Sequence, residues 1–205
     1  MRLNIGVFQY KMRDEPSLKK IQRLENHLKK NNTLDLIVCP ELFLSGYGSH
    51  KKIKEFAEVK DGEYAIKISL LAKKYATAIL YGYPEIEKDS LFNAAQLFSS
   101  TGQSLINHRK QLLPPTAKES TIFNRGNNDS IINFKGIKIA VVICYELEFP
   151  ELIRRTALEG VKLILAPTAQ SSHWPAAARH ISRSRAFENG IFVVYANFVG
   201  KLNDI

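Results

Sequence analysis

Ile139-Ala140-Val141-Val142-Ile143-Cys144-Tyr145-Glu146-Leu147-Glu148-Phe149-Pro150-Glu151 is the stretch on which the fold turns. Its first five residues are apolar with no polar alternation, the pattern of a strand covered on both faces. The run stops at Cys144, and Tyr145, Glu146 and Glu148 follow at once. Pro150 can open a helix, because a first-turn residue has no intrahelical N–H bond to lose. Leu152, Ile153, Ala157 and Leu158 recur at helical spacing, and Gly160 provides the stop. Val161 to Ala166 is a second apolar strand. The unit is strand, turn, helix, strand, with a cysteine at the strand's carboxyl end, where α/β sheets gather their chemistry. A cysteine in a strand is ordinarily a small buried hydrophobe. This one closes the apolar run, and the Tyr145 backbone N–H beside it offers a donor for a developing oxyanion.

Working outward, the segments before this unit read as Leu3 to Gln9, a strand; Pro16 to Lys30, a helix with apolar residues at 18, 21, 24 and 28; and Asp35 to Cys39, a strand broken by Pro40-Glu41. Leu42 to Gly48 is a loop, Ile53 to Ala57 a short helix and Gly62 to Tyr75 a longer one. Ala78 to Tyr83, Leu91 to Phe98 and Ser104 to Lys110 are strands joined by turns at Lys88-Asp89-Ser90 and Thr101-Gly102. Gln111 to Asn128 is loop, and Ser130 to Phe134 pairs with Ile137 to Ile143 around Lys135-Gly136. Beyond the central unit, Pro175 to Asn189 is helical and Ile191 to Asn197 is the last strand. This order predicts an α/β fold, with one mixed sheet or two, covered by helices.

Composition narrows the function classes. The 205 residues, 45% hydrophobic and 24% charged, amount to one domain with a sizeable core. No apolar run approaches the roughly 18 residues of a membrane helix. The N-terminus enters a strand without a signal-peptide layout, and Cys39 and Cys144 are too few for a disulfide framework, so a reduced cytoplasmic protein is expected. The net charge of +9 raises nucleic acid as a partner. The lysines, however, are scattered as pairs (19-20, 29-30, 51-52, 73-74) in or beside expected surface helices, with no basic stripe interleaved with aromatics. Neither nucleic acid nor membrane is expected as a partner. Five scattered histidines and two cysteines give no metal-ligand spacing, and no metal or cofactor is expected.

Three polar residues each end an apolar strand: Glu41, Lys110 and Cys144. They are far apart in sequence, and only folding can join them. A carboxylate, an ammonium and a thiol suit nucleophilic catalysis, with Glu41 taking the thiol proton and Lys110 favouring thiolate and holding an oxyanion.

At these residues the chain resembles the nitrilase, or carbon–nitrogen hydrolase, superfamily. The resemblance runs through Val38-Cys39-Pro40-Glu41, Leu44-Ser45-Gly46-Tyr47, Tyr81-Gly82-Tyr83-Pro84, Leu91-Phe92-Asn93-Ala94-Ala95 and His108-Arg109-Lys110. It continues through Glu119 with Phe123 and Gly126, through Ile143 to Glu151, and through Arg183-Ser184-Arg185-Ala186-Phe187-Glu188-Asn189. It implies a Glu-Lys-Cys triad at Glu41, Lys110 and Cys144, a second glutamate at Glu119 orienting substrate and lysine, and a four-layer α-β-β-α sandwich. It also implies a homodimer or higher homo-oligomer formed through helices near the cysteine, and hydrolysis of a small carboxamide by way of a thioester. The aliphatic amidase-like branch is the nearest match. N-carbamoyl amines, deaminated glutathione or ω-amides, and nitriles are the alternative substrates, and a non-catalytic or truncated interaction subunit is the alternative role.

Tyr47, Asn93, Phe123, Thr168, Ala169, Ser172 and Trp174 follow or flank strand ends and are the candidates for the substrate pocket. One departure stands out. Family members usually continue past the Asn197-Phe198-Val199-Gly200 region with two further strands and a tail, whereas this chain ends at Ile205. The expectation is a sandwich short of its C-terminal strands, with an open sheet edge.

Overall fold

The structure, a computed structural model, describes residues 2–13, 15–47, 50–115, 119–128 and 130–200. Gly48, expected at the end of a loop, lies outside them. In chain order the elements are β1 (Ile5–Val7), α1 (Ser17–Lys30), β2 (Leu36–Val38), α2 (His50–Glu55), α3 (Glu63–Lys74), β3 (Ala78–Glu87), β4 (Ser90–Phe98) and β5 (Ser104–Arg109). Then come β6 (Ile131–Phe134), β7 (Ile137–Val141), a 3-10 turn (Cys144–Glu148), α4 (Pro150–Leu158), β8 (Leu163–Pro167), a π-helical turn (Ala177–Ile181), α5 (Ser182–Asn189) and β9 (Phe192–Ala196).

The strands form two sheets, not one. The first runs β1-β2-β3-β4-β5 and the second β6-β7-β8-β9. β1, β2 and β3 are parallel, and so are β7, β8 and β9, because a helical crossover separates each consecutive pair. β3-β4-β5 and β6-β7 are antiparallel, each pair joined by a short turn. Leu36, Val38, Leu80 and Leu97 of the first sheet pack on Ile139, Val141, Leu163 and Leu165 of the second, all buried. Ile37, Ile79 and Tyr81, on the other face of the first sheet, pack under Leu24 and Leu28 of α1 and Ile68 of α3. Ala140, Val142 and Ile164, on the outer face of the second, pack with Ile153 of α4. The layers are therefore α-β-β-α. Each central strand is covered twice, which explains why 139–143 shows no polar alternation.

The helix faces differ from the sequence pattern in one informative place. On α1, Ile21, Leu24 and Leu28 are buried, but Leu18 is exposed. Lys20, read as half of a surface pair, is buried, and its ammonium donates to the Leu44 carbonyl at 2.7 Å. Ser17 donates to the same oxygen at 3.0 Å. The polar side of α1 is thereby tied to the loop after Glu41, an arrangement that periodicity cannot report. α3 opens on Gly62 with no side-chain cap of its own, and the Glu58 carboxylate accepts the Tyr64 and Ala65 N–H groups. Among the described residues no helix is long and apolar enough to cross a membrane, and both cysteines are free thiols.

Candidate active site

Glu41 lies three residues beyond β2, Lys110 directly follows β5 and Cys144 lies three beyond β7. Two glycines let these ends converge. A Cβ on Gly82 would stand 2.4 Å from the Leu42 nitrogen and 2.7 Å from the Pro40 carbonyl, so only glycine in β3 admits the Glu41 loop against the strand. A Cβ on Gly126 would stand 2.1 Å from the Arg109 carbonyl, and the Gly126 N–H donates to the Lys110 carbonyl at 2.9 Å. Cys144 sits at φ 49°, left-handed backbone that a side-chain-bearing residue seldom adopts. The strand thus ends in a sharp turn that lifts the thiol out of the ladder.

The Lys110 ammonium is fully buried. It donates to Glu41 Oε1 at 2.7 Å and to Glu119 Oε1 at 2.8 Å. The Asn93 amide N–H₂ donates to Glu41 Oε1 at 2.7 Å and to Glu119 Oε2 at 3.4 Å. The Ala169 N–H donates to Glu41 Oε2 at 2.8 Å, and the Tyr47 hydroxyl donates to Glu119 Oε1 at 2.5 Å. One buried cation therefore serves two buried carboxylates, and neutral donors complete their shells.

The electrostatics follow from that imbalance. Burial opposes the charge on Lys110, but Glu41, the neighbouring sulfur and Glu119 outweigh it and hold the ammonium above its ordinary range. Burial and then the Glu41 charge raise Glu119, against the pull of Lys110 and Tyr47. Burial and the Glu41 charge also hold the Cys144 thiol well above its usual value, against Lys110 and the Ala169 N–H. Lys110 thus favours the thiolate, as expected, but burial and the Glu41 charge outweigh it.

Tyr47, Glu119, Cys144, Tyr145, Ala169 and Trp174 all line one cavity of about 360 Å³, together with Pro114, Pro115, Glu148, Gln170 and Ser171. Four other pocket candidates do not line it. Asn93 is buried behind the carboxylates and spends its N–H₂ on them. Phe123 packs with Leu42, Ile53, Leu91 and Leu113 in a small core beneath the loops. Thr168 is fully buried; its hydroxyl donates to the Ala166 carbonyl at 3.0 Å and its carbonyl accepts the Glu41 N–H at 3.4 Å. Ser172 is exposed outside the lining. A second cavity of about 370 Å³, between α3 and the strands β4 and β5, has no cysteine, histidine or buried carboxylate in its wall.

Sequence reasoning missed a second buried polar cluster beside the first. His108 Nε2 lies 2.8 Å from Glu146 Oε2 and His108 Nδ1 lies 3.2 Å from Ser130 Oγ. Glu146 also accepts the Ile143 N–H at 2.6 Å and the Gln111 N–H at 2.7 Å. His108 precedes Lys110 by two residues and Glu146 follows Cys144 by two, so this pair fastens the lysine strand to the cysteine turn. The signal was present in His108-Arg109-Lys110 and Cys144-Tyr145-Glu146, but alternation alone does not say that two distant polar residues meet.

A model of the family described as carbon-nitrogen hydrolase matches residues 3–205. The chain belongs to that family. This hydrolase is 39% identical over 201 residues to the "hydrolase in pqqF 5'region" of Pseudomonas protegens, a match covering 97% of this chain and 70% of that protein. It is 27% identical over 211 residues to the 2-oxoglutaramate amidase of Bacillus subtilis, covering all of this chain and 79% of that one. Among solved structures it superimposes on Nit3 of Saccharomyces cerevisiae, a nitrilase superfamily member, with a TM-score of 0.86, at 25% identity over 98% of this chain and 78% of the other. It also superimposes on an amidase from Nesterenkonia sp. with a TM-score of 0.83, at 24% identity over 98% and 79%. The nitrilase-type sandwich is thus the fold of this hydrolase, and the hydrolase is an enzyme of the cysteine-dependent amidase kind.

Proposed function

We propose that the chain, acting as one catalytic domain over residues 1–205, hydrolyses a small carboxamide to the carboxylic acid and ammonia through a thioester on Cys144. The observation that carries this reading is the Lys110 ammonium held between Glu41 and Glu119, at 2.7 and 2.8 Å, behind a thiol that opens into a cavity of about 360 Å³. The amidase relatives support the amide as substrate class.

Because burial and the Glu41 charge disfavour a thiolate, deprotonation and attack are coupled. As the sulfur bonds to the amide carbon, its proton passes to Glu41 and the C=O pair becomes an oxyanion. An ammonium has three N–H donors, and the two carboxylates take two. The third, with the Tyr145 N–H, holds the oxyanion. Glu41 returns the proton to the leaving nitrogen, ammonia departs and the thioester remains. Water then gives a proton to Glu41 and attacks the thioester carbon; the C–S bond breaks, Cys144 is reprotonated and the acid leaves. Glu119 holds Lys110 in place throughout.

Ammonia release from propionamide, glutaramate, 5-aminopentanamide, an N-carbamoyl amine and a nitrile, with Cys144→Ala alongside, tests this. Release that disappears in the variant is expected. Absence of release from folded wild type with every substrate overturns the reading.

We further propose that the protein is cytoplasmic and forms a homo-oligomer through the α4 and α5 face. Leu158 of α4 and Phe187 of α5 are 79% and 91% exposed there, an apolar display that a second copy would cover. Sedimentation of wild type as a dimer or larger, and of Phe187→Asp as a smaller species, is expected; a wild-type monomer overturns it.

A further inference from the structure

The cavity carries a carboxylate that the proposed reaction does not use. Glu148 closes the 3-10 turn that Cys144 opens, and both side chains line the same cavity. Four residues of such a turn rise about 8 Å, the reach of a short aliphatic chain. Glu148 is half-buried, and its carboxylate has no hydrogen bond or ion pair among the described residues. Arg185, which reaches the same turn, is spent elsewhere: it donates to the Leu147 and Glu148 carbonyls and pairs with Glu188.

The charge balance of the site points the same way. Glu41 and Glu119 share one ammonium, and Glu148 adds a further negative charge. None of the described lining residues is basic. This occurs in a chain of net charge +9, so the excess of carboxylates among the described lining residues is a local arrangement and not the average surface. The aromatic rings of Tyr145 and Trp174 in the wall also suit a cation.

We infer that the preferred substrate is an amide bearing an alkylammonium group at the end away from the carboxamide, and that Glu148 selects it. This rests on the proposed amidase reading. The carboxamide sits at Cys144 while the ammonium meets Glu148 in a partly desolvated wall, where a charge pair discriminates strongly. An amide ending in a carboxylate meets repulsion from the same group.

The test compares kcat/KM for 5-aminopentanamide, hexanamide and the monoamide of adipic acid, in wild type and Glu148→Gln. In wild type the ammonium amide should exceed the neutral one by about tenfold, mostly through KM, and the carboxylate amide should be slowest. In Glu148→Gln the first ratio should fall towards one. A wild type without that preference, or one whose preference survives in Glu148→Gln, overturns the inference. A second measurement needs neither turnover nor a variant: protection of Cys144 from iodoacetamide by butylammonium against butyrate. Stronger protection by butylammonium, weakening with added salt, supports the Glu148 subsite; equal protection overturns it. Failure of every amide to release ammonia counts against the amidase reading alone, because the protection experiment still reads the subsite.

Discussion

Two buried polar clusters lie two residues apart along the same strand end, and they are built on opposite terms. Around Lys110, two carboxylates compete for one cation, and burial with the Glu41 charge pushes Glu119 up. Around His108, the single Glu146 receives the histidine and two backbone N–H groups. Burial opposes the Glu146 charge, but those partners outweigh it and hold its carboxyl below the usual range. The first cluster stores a mismatch next to an accessible thiol. The second has its acceptors filled and its histidine and glutamate are buried. Reactivity is supplied by the strained set and held in place by the satisfied one.

Removing Lys110 and His108 in turn should separate these roles most sharply. Lys110→Met should lower kcat/KM by about 10³-fold or more, since it removes the proposed oxyanion donor and leaves two carboxylates facing each other. His108→Ala should lower activity far less, yet destabilise the fold by about 3 kcal/mol, because Glu146 is left buried without its partner. Steady-state kinetics and urea unfolding on both variants read this; equal activity losses would dissolve the distinction.

The same Glu→Gln change should then have opposite signs in the two places. Glu119 is raised in the fold, so its charge is disfavoured there, and Glu119→Gln should keep or raise stability at pH 7 while activity falls. Glu146 is lowered, so Glu146→Gln should destabilise, by an amount on the order of 1 kcal/mol. Urea midpoints of the two variants against wild type check the signs.

Their pH dependence follows. The Glu146 contribution is fully present above the ordinary glutamate value of about 4.3 and is lost as pH falls through its depressed folded value. The stability difference between wild type and Glu146→Gln should therefore shrink on acidification below that point. The Glu119 contribution runs the other way: a raised group favours the fold below its unfolded value and ceases to do so as pH rises through its folded one. Unfolding curves from pH 7 to pH 3 would expose either sign error.

The smallest effect concerns the two thiols. Cys39 is fully buried in the core between the first sheet and its helices, and burial alone raises it. Cys144 is partly accessible but also raised. Iodoacetamide should label Cys144 first, through access, with a rate that still climbs between pH 7 and pH 9. A plateau already reached at pH 7 would mean a standing thiolate and would contradict the geometry around Glu41.

Much of this was legible beforehand, for identifiable reasons. Uninterrupted apolar runs marked the doubly covered strands, and the polar residues that ended them, Glu41, Lys110 and Cys144, marked the convergence point. Tyr47, Tyr145, Ala169 and Trp174 were found because residues just beyond strand ends face the cleft. Asn93, Phe123, Thr168 and Ser172, named by the same rule, do not line that cavity, because the rule cannot tell a side chain facing the cleft from one turned into core, clasped by a carboxylate or left in solvent. Lys20 was misplaced because a lysine pair on a helix reads as surface until a carbonyl is found beneath it.

The sequence by itself determined the alternation of strands and helices, the family and the identity of the three convergent groups, since these depend on local pattern and residue order. The tertiary structure alone decided that the described strands form two sheets, that Lys110 is shared between two carboxylates, that His108 meets Glu146 and that Glu148 has no partner among the described residues of the cavity. Those facts are distances between residues remote in the chain, and burial and charge act through distance in space, which no one-dimensional pattern contains.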